Sequence, residues 1–328
     1  MPTHRLLTIP AYLAAAFIVT LALPILVPVS YAATFHPAAR GALRSLAFVA
    51  VYLWCEAAGI AASFWLWLTH RMPRAPFSAE YLTANYRLQC WWANALKRGA
   101  ERIFNLTFDV EGRDALRGPP AIMLPRHASM ADTMIPIVFY AMPFDYRLRY
   151  VLKRELLIDP CLDIVGNRLP NYFVDRDSAD SQREVEGVTQ LVRTLGPNEG
   201  VLIYPEGSRF TPARREQVVA KLRRTAAPGD FARFDRWLDV LPPRLGGVLG
   251  ILAANPGRDL VFCAHTGFEG SSHFDTLING SWAHARIRIA FWRVPYADIP
   301  RTPEMQKIFV FDQWDRIQQT VQRLREGA

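Results

Sequence analysis

The sequence predicts an α/β protein, a mixed and mostly parallel sheet flanked by helices, preceded by an N-terminal two-helix membrane anchor. Two observations carry this. The first is a pair of long apolar runs at the N-terminus, and the second is a regular alternation of short apolar runs with helical patterns from Thr107 onward. A third observation, a histidine and an aspartate just past one of these runs, marks where the chemistry belongs.

From Leu6 to Ala39 there is no Asp, Glu, Lys or Arg. About 20 apolar residues suffice to cross a bilayer as a helix, and Pro10, Pro24 and Pro28 predict a kinked or partly re-entrant one. A cleaved signal peptide is the alternative, since Arg5 precedes the run and Ser30-Tyr31-Ala32 imitates a cleavage site. The run is longer than a signal core and a second one follows, which favours an anchor. That second run, Ser45 to His70, holds one charge, Glu56, and carries Trp54, Trp65 and Trp67, residues suited to interfacial ends. Glu56 reads as structural, neutralised or turned to the partner helix. Arg40 and Arg44 lie between the runs, whereas Arg71, Arg74, Lys97, Arg98 and Arg102 follow them. The larger basic cluster places the C-terminal bulk in the cytoplasm, on an inner membrane if the source is bacterial.

Residues 1–74 are thus expected to form the membrane hairpin and 75–328 the catalytic domain. Ser78 opens an amphipathic helix running to Phe104. Strands are expected at Thr107–Val110, Ala121–Leu124, Arg147–Leu152, Tyr172–Val174, Val201–Tyr204, Asp259–Ala264 and Ala285–Trp292. Helices are expected at Met134–Tyr140, Ser178–Leu195 and Pro303–Arg325, and a basic insertion at about 212–240. The net charge of +8 suits an anionic membrane surface or phosphorylated substrates. No nucleic-acid motif is present, so nucleic acid is not expected as a partner. Cys55, Cys90, Cys161 and Cys263 form no paired motif, which argues against a metal site and a disulfide framework.

The run Ala121–Leu124 stops at Pro125, placing His127 just beyond a strand end, with Asp132 opening the next apolar run. Ligands of open α/β sheets sit beyond the carboxyl ends of strands. An imidazole there can take a proton from a hydroxyl if a carboxylate fixes its tautomer. A structural histidine beside a capping aspartate is the competing reading of the pair alone. Further blocks shift the balance: Lys153-Arg154-Glu155-Leu156, Phe173-Val174-Asp175-Arg176 and Pro205-Glu206-Gly207-Ser208-Arg209. Arg176 and Arg209 offer planar forks for phosphate oxygens, Glu206 could hold one of these arginines, and Gly207 lets the backbone pass close to a ligand.

With these blocks in this order, the sequence resembles the 1-acyl-glycerol-3-phosphate acyltransferase family of glycerophospholipid acyltransferases. His127 and Asp132 match its His-x4-Asp block, Phe173 to Arg176 its second block, and Pro205 to Arg209 its Pro-Glu-Gly-Ser/Thr-Arg block. Leu241-Pro242-Pro243-Arg244-Leu245-Gly246-Gly247 resembles the fourth block of the lysocardiolipin and lysophosphatidylinositol branch. Two positions depart from the pattern, Arg126 for the usual asparagine and Met130 where an aromatic is common, and both bear on how the acceptor headgroup is held.

The resemblance implies the glycerolipid acyltransferase fold and transfer of a fatty acyl group, from acyl-CoA or acyl carrier protein, to a lysophospholipid hydroxyl. Lysophosphatidate is the first acceptor implied, with lysophospholipid remodelling, lyso-ornithine-lipid acylation and a non-catalytic lipid-binding role as alternatives. His127 and Asp132 would be catalytic, with Lys153, Arg176, Glu206, Gly207 and Arg209 binding substrate. No cofactor or metal is implied, and the partners are membrane lipids and the two substrates. A serine hydrolase would need a Gly-x-Ser-x-Gly elbow, which is missing.

Overall fold

A computed structural model describes residues 4–33, 37–175, 180–269 and 282–326. These fall into two compact units. Unit 1 holds the described residues of 1–106, 152–173 and 273–285, and unit 2 those of 107–151, 174–272 and 286–328.

Unit 1 is helical. Helices α1 (Arg5–Ala33) and α2 (Pro37–Thr69) pack against each other, and α3 (Ala79–Phe104) packs on α2. Within them Arg5–Val29 and Gly41–Thr69 are long and apolar enough to cross a membrane. Pro10, Pro24 and Pro28 all lie inside α1. Trp54 is not at an interfacial end: mid-way along α2, its indole N–H donates to Thr20 Oγ1 of α1 (3.1 Å). Glu56 is fully buried and accepts from Trp92 Nε1 (2.7 Å) and from the backbone N–H of Cys161 (3.1 Å) in the short α5 (Pro160–Gly166). A buried carboxyl costs several kcal/mol unless its oxygens are occupied, and here both are. Ser78 caps α3 by accepting from the Tyr81 N–H (3.2 Å).

Unit 2 holds most of the sheet, while Leu152, Lys153, Tyr172 and Phe173 at the ends of β3 and β4 are counted in unit 1. Strands β1 (Thr107–Glu111), β2 (Ile122–Pro125), β3 (Arg147–Lys153), β4 (Tyr172–Val174), β5 (Glu199–Leu202), β6 (Leu260–Thr266) and β7 (Arg286–Val294) run in the order β1-β7-β6-β2-β5-β3-β4. β2 is central and parallel to both neighbours, and β3 is parallel to β5. Only β6 and β7 are antiparallel among the registers described, with β1 parallel to β7. Strands buried on both faces should read as continuous apolar runs. Every residue of β2 and β6 is buried accordingly.

Around the sheet lie a single turn, α4 (Met142–Phe144), then α6 (Ser181–Arg193), α7 (Pro212–Thr225), α8 (Pro228–Arg236), α9 (Leu245–Ala253) and α10 (Pro303–Glu326). α6 packs on α9, and α10 packs along β6 and β7. The segment expected as a basic insertion forms α7 and α8. Arg215 is not a solvated charge but donates to the carbonyls of Trp237 (2.5 Å) and Asp235 (2.7 Å).

The helix expected at Met134–Tyr140 is replaced by a 3₁₀ turn, Ala131–Met134, followed by a π-helical turn, Pro136–Ala141. Pro136 cannot donate to an α-helical ladder, and the carboxylate of Asp132 is turned back toward the preceding loop.

Gly200 shows how closely β5 lies to the approach of β2. A Cβ there would sit 2.3 Å from the Ala121 carbonyl oxygen, a backbone atom with no rotamer to escape into. Gly200→Ala is expected to destabilise the protein by about 1–3 kcal/mol. A thermal melt in detergent reads this directly, and an unchanged midpoint would refute it.

Candidate active site

Because β2, β5 and β6 are parallel, their carboxyl ends open on the same side. His127 follows the end of β2, the Tyr204–Phe210 loop follows β5, and His265 is the penultimate residue of β6. The site is assembled from these three ends, all within unit 2.

His127 Nδ1 lies 2.9 Å from Asp132 Oδ1. A carboxylate only accepts, so Nδ1 carries the hydrogen and Nε2 is left with the lone pair. The other oxygen of Asp132, Oδ2, accepts backbone N–H bonds from Ala128 (2.6 Å) and Ser129 (2.8 Å). This is why Asp132 is not a helix cap: its acceptor capacity serves the four-residue loop that links it to the histidine. Asp132 is buried, and burial works against its charge. The imidazoles of His127 and His265 more than offset this and hold its carboxyl well below the usual carboxylate range. The imidazole of His127 is 13% exposed, enough to be reached, and leans on the Tyr204 ring with centroids 4.4 Å apart. The Tyr204 hydroxyl donates to the Asp132 carbonyl (3.3 Å).

Glu206 is placed differently from the sequence expectation that it holds an arginine. It is 2% exposed, and its two oxygens accept from the N–H of His127 (3.0 Å) and of Leu241 (3.0 Å). It therefore ties the peptide carrying the imidazole to the Leu241–Gly247 block. Gly207 closes a β-turn, its N–H donating to the Tyr204 carbonyl (2.9 Å) at φ +67°, a conformation that favours glycine. The block Leu241-Pro242-Pro243-Arg244 is a strap across this loop: the Arg244 N–H donates to the Pro205 carbonyl (2.8 Å). Trp314 of α10 holds the strap in turn, its Nε1 donating to the Leu241 carbonyl (2.9 Å).

Burial pushes the Glu206 carboxyl up to about 8, against the pull of Arg126 and of the two N–H donors. Between its usual value of 4.5 and about 8, the folded chain retains a proton that the unfolded chain has released. The stability this group contributes is therefore complete below about 4.5 and is lost as pH rises through about 8. The unfolding midpoint is expected to fall over that interval, and Glu206→Gln, which cannot titrate, is expected to flatten the fall. An equal slope in the variant would exclude Glu206 as its source.

Arg126, the departure seen in the sequence, occupies a buried position. It is fully buried, and its guanidinium donates to the Asp239 carbonyl (3.1 and 2.8 Å), the His265 carbonyl (2.6 Å) and Glu269 Oε1 (2.8 Å). Burial alone would raise Glu269, but the neighbouring Arg126 cation holds it down at about 2. Arg325 of α10 extends the network, pairing with Asp239 and with Glu269 Oε1 (3.2 Å). Met130 is half exposed.

Of the residues singled out from sequence, the structure brings together His127, Asp132, Glu206 and Gly207. Arg209 lies on the same loop, next to Phe210, whose N–H donates to the His127 carbonyl (2.7 Å). Lys153 ends β3 and belongs to unit 1. Arg176 lies outside the described residues. His265 and Arg126 are the neighbours that sequence reasoning missed as parts of the site. Among the described residues no cluster of three His, Cys, Asp or Glu side chains could hold a metal ion.

Residues 107–234 match the family model described as Acyltransferase. No curated protein matches the sequence. Among solved structures, the crystal structure of the 1-acyl-sn-glycerophosphate (LPA) acyltransferase PlsC from Thermotoga maritima is similar, with a TM-score of 0.57 and 13% sequence identity. The match covers 86% of this chain and 97% of that one. The chain therefore has the PlsC-like α/β fold, with an acyltransferase-like segment carrying the His127–Asp132 pair and two apolar helices ahead of it.

Proposed function

We propose that this chain is a glycerolipid O-acyltransferase that moves a fatty acyl group from a thioester to the free hydroxyl of a lysophospholipid. The observation that carries the reading is the His127–Asp132 contact, 2.9 Å long, with the remaining carboxylate oxygen occupied by two backbone N–H groups. It leaves one basic nitrogen at the carboxyl ends of the central strands, inside the segment that matches the acyltransferase family model.

In this reading His127 Nε2 takes the proton of the acceptor hydroxyl while Asp132 stabilises the imidazolium that forms. The alkoxide oxygen attacks the thioester carbonyl, the new C–O ester bond forms and the C–S bond breaks. The departing thiolate then receives the proton from His127. Bringing one hydroxyl and one thioester together supplies much of the acceleration. Arg209, Arg176 and Lys153 are the cations proposed for the acceptor phosphate, and Gly207 keeps the backbone of that loop narrow. Glu206 acts by fixing the His127 peptide. The reading requires no metal or cofactor, only acyl-CoA or acyl carrier protein as the donor.

Lysophosphatidate is the first acceptor proposed, since the similar Thermotoga maritima protein is titled an LPA acyltransferase. The Leu241–Gly247 block favours a second acceptor class, the lysophospholipids used in remodelling. The two apolar helices support a membrane setting with lipids as partners, and the basic residues after the second helix support a cytoplasmic catalytic domain. The test is thiol release from long-chain acyl-CoA by the purified protein, with lysophosphatidate, lysocardiolipin, lysophosphatidylinositol, lyso-ornithine lipid or water as acceptor. Release that requires a lysolipid supports the proposal and names its acceptor. Release with water alone makes the protein a thioesterase, and no release from acyl-CoA or acyl carrier protein leaves a binding role.

A further inference from the structure

Residue 265 is a curious place for a histidine. β6 is buried along its whole length, and His265 is itself fully buried beside Phe268, with ring centroids 6.1 Å apart. Its Nδ1 has no hydrogen-bond partner among the described residues. A side chain kept for packing alone would do better without an orphaned polar atom. The other ring nitrogen is well occupied. Nε2 lies 3.1 Å from the Arg126 carbonyl, which can only accept, so Nε2 carries the hydrogen. The same nitrogen lies 3.5 Å from Asp132 Oδ2.

We propose that His265 is a positioning residue of the His127–Asp132 pair, acting on the base through the hydrogen bond from its Nε2 to the Arg126 carbonyl and standing 3.5 Å from the carboxylate. Asp132 is thereby enclosed on every side: His127 meets Oδ1, Ala128 and Ser129 meet Oδ2, and His265 approaches Oδ2 from the neighbouring strand. The brace is reciprocal. The Arg126 guanidinium donates back to the His265 carbonyl (2.6 Å), so β6 and the end of β2 grip each other one residue before the base. His265 is fully buried and so is closed to a substrate. It acts by holding the peptide next to the base.

The kinetic half of the test rests on the acyl-transfer reading; the spectroscopic half does not. His265→Gln places an amide donor near the former Nε2, His265→Leu keeps the bulk without a donor, and His265→Asn is polar but too short. The Leu variant is expected to lose about 3- to 10-fold in kcat, the range of one hydrogen bond to a neutral carbonyl. Its KM for both substrates should stay within about two-fold, since only the base is disturbed. The Gln variant should recover most of the rate. In protein labelled with ¹⁵N-histidine, the hydrogen-bonded Nδ1–H of His127, assigned by its loss in His127→Gln, should be seen in wild type and Gln and be lost or exchange faster in Leu. Should Leu fail to fold, Asn takes its place.

Retention of that resonance and of kcat in the Leu or Asn variant would overturn the proposal, as would its loss in Leu and Gln alike or its absence from wild type. If wild type transfers no acyl group yet the resonance follows the donor at 265, the positioning role stands and the acyl-transfer reading falls.

Discussion

The His127→Ala variant is expected to transfer acyl groups about two to four orders of magnitude more slowly than wild type. The loss should appear in kcat and kcat/KM together, because the imidazole works only once the hydroxyl is in place. The ring is 13% exposed and hydrogen-bonds through one nitrogen, while the His127 N–H and carbonyl, which hold Glu206 and Phe210, belong to the backbone and survive the substitution. The unfolding midpoint should therefore stay close to wild type. Near-normal turnover in this variant would remove His127 as the base, and an unfolded variant would be diagnosed by its melt.

Asp132→Asn is expected to be nearly as damaging, by about three to four orders of magnitude, for a reason specific to this loop. The amide has one accepting oxygen. Two backbone N–H donors, from Ala128 and Ser129, converge on the Oδ2 position and claim it. The amide nitrogen is then forced to face His127 Nδ1, which must accept, and the ring hydrogen moves to Nε2. A base with its lone pair pointing inward cannot deprotonate an acceptor. The ¹⁵N signature of His127 should report the opposite tautomer, and a variant that keeps both the wild-type tautomer and the wild-type rate would refute the argument.

How far the sequence disclosed this arrangement depends on how local each determinant is. The strands were legible because runs such as β2 and β6 are apolar on both faces, and their ends differ from expectation by one or two residues, as in β6, which runs on to Thr266. Tyr204 was read as strand, yet β5 stops at Leu202 because the turn closed by Gly207 recruits Tyr204. Met134 to Tyr140 has helical spacing, but the spacing does not show that the Asp132 carboxylate is turned back onto two upstream N–H groups. The His127–Asp132 pair was visible because both members lie in one loop. Glu206 was misassigned because its second partner, Leu241, is 35 residues away, and nothing in a Pro-Glu-Gly turn announces a backbone donor at that distance. His265 left a faint signal, a lone histidine inside the apolar run Leu260–Thr266, and its meaning depends on β6 lying beside β2. Arg126 was noticed only as a departure. Burial among the Asp239 and His265 carbonyls and Glu269 gives it its role.

The strap over the Glu206 loop also fixes when the site can exist. Ribosomes deliver a chain from its N-terminus, so the base and its carboxylate emerge early, followed by the Glu206 turn and then the strap. α10 holds that region at several points: Trp314 grips the strap at Leu241, Gln318 bonds Asp239, and Arg325 joins Asp239 and Glu269 around the guanidinium behind the base. Until that helix has been made and has folded back, the nascent chain carries every reactive group of the site without the brace that aligns them. Maturation of the site is thus coupled to completion of α10, and a chain halted before Pro303 would hold the chemistry but not the geometry.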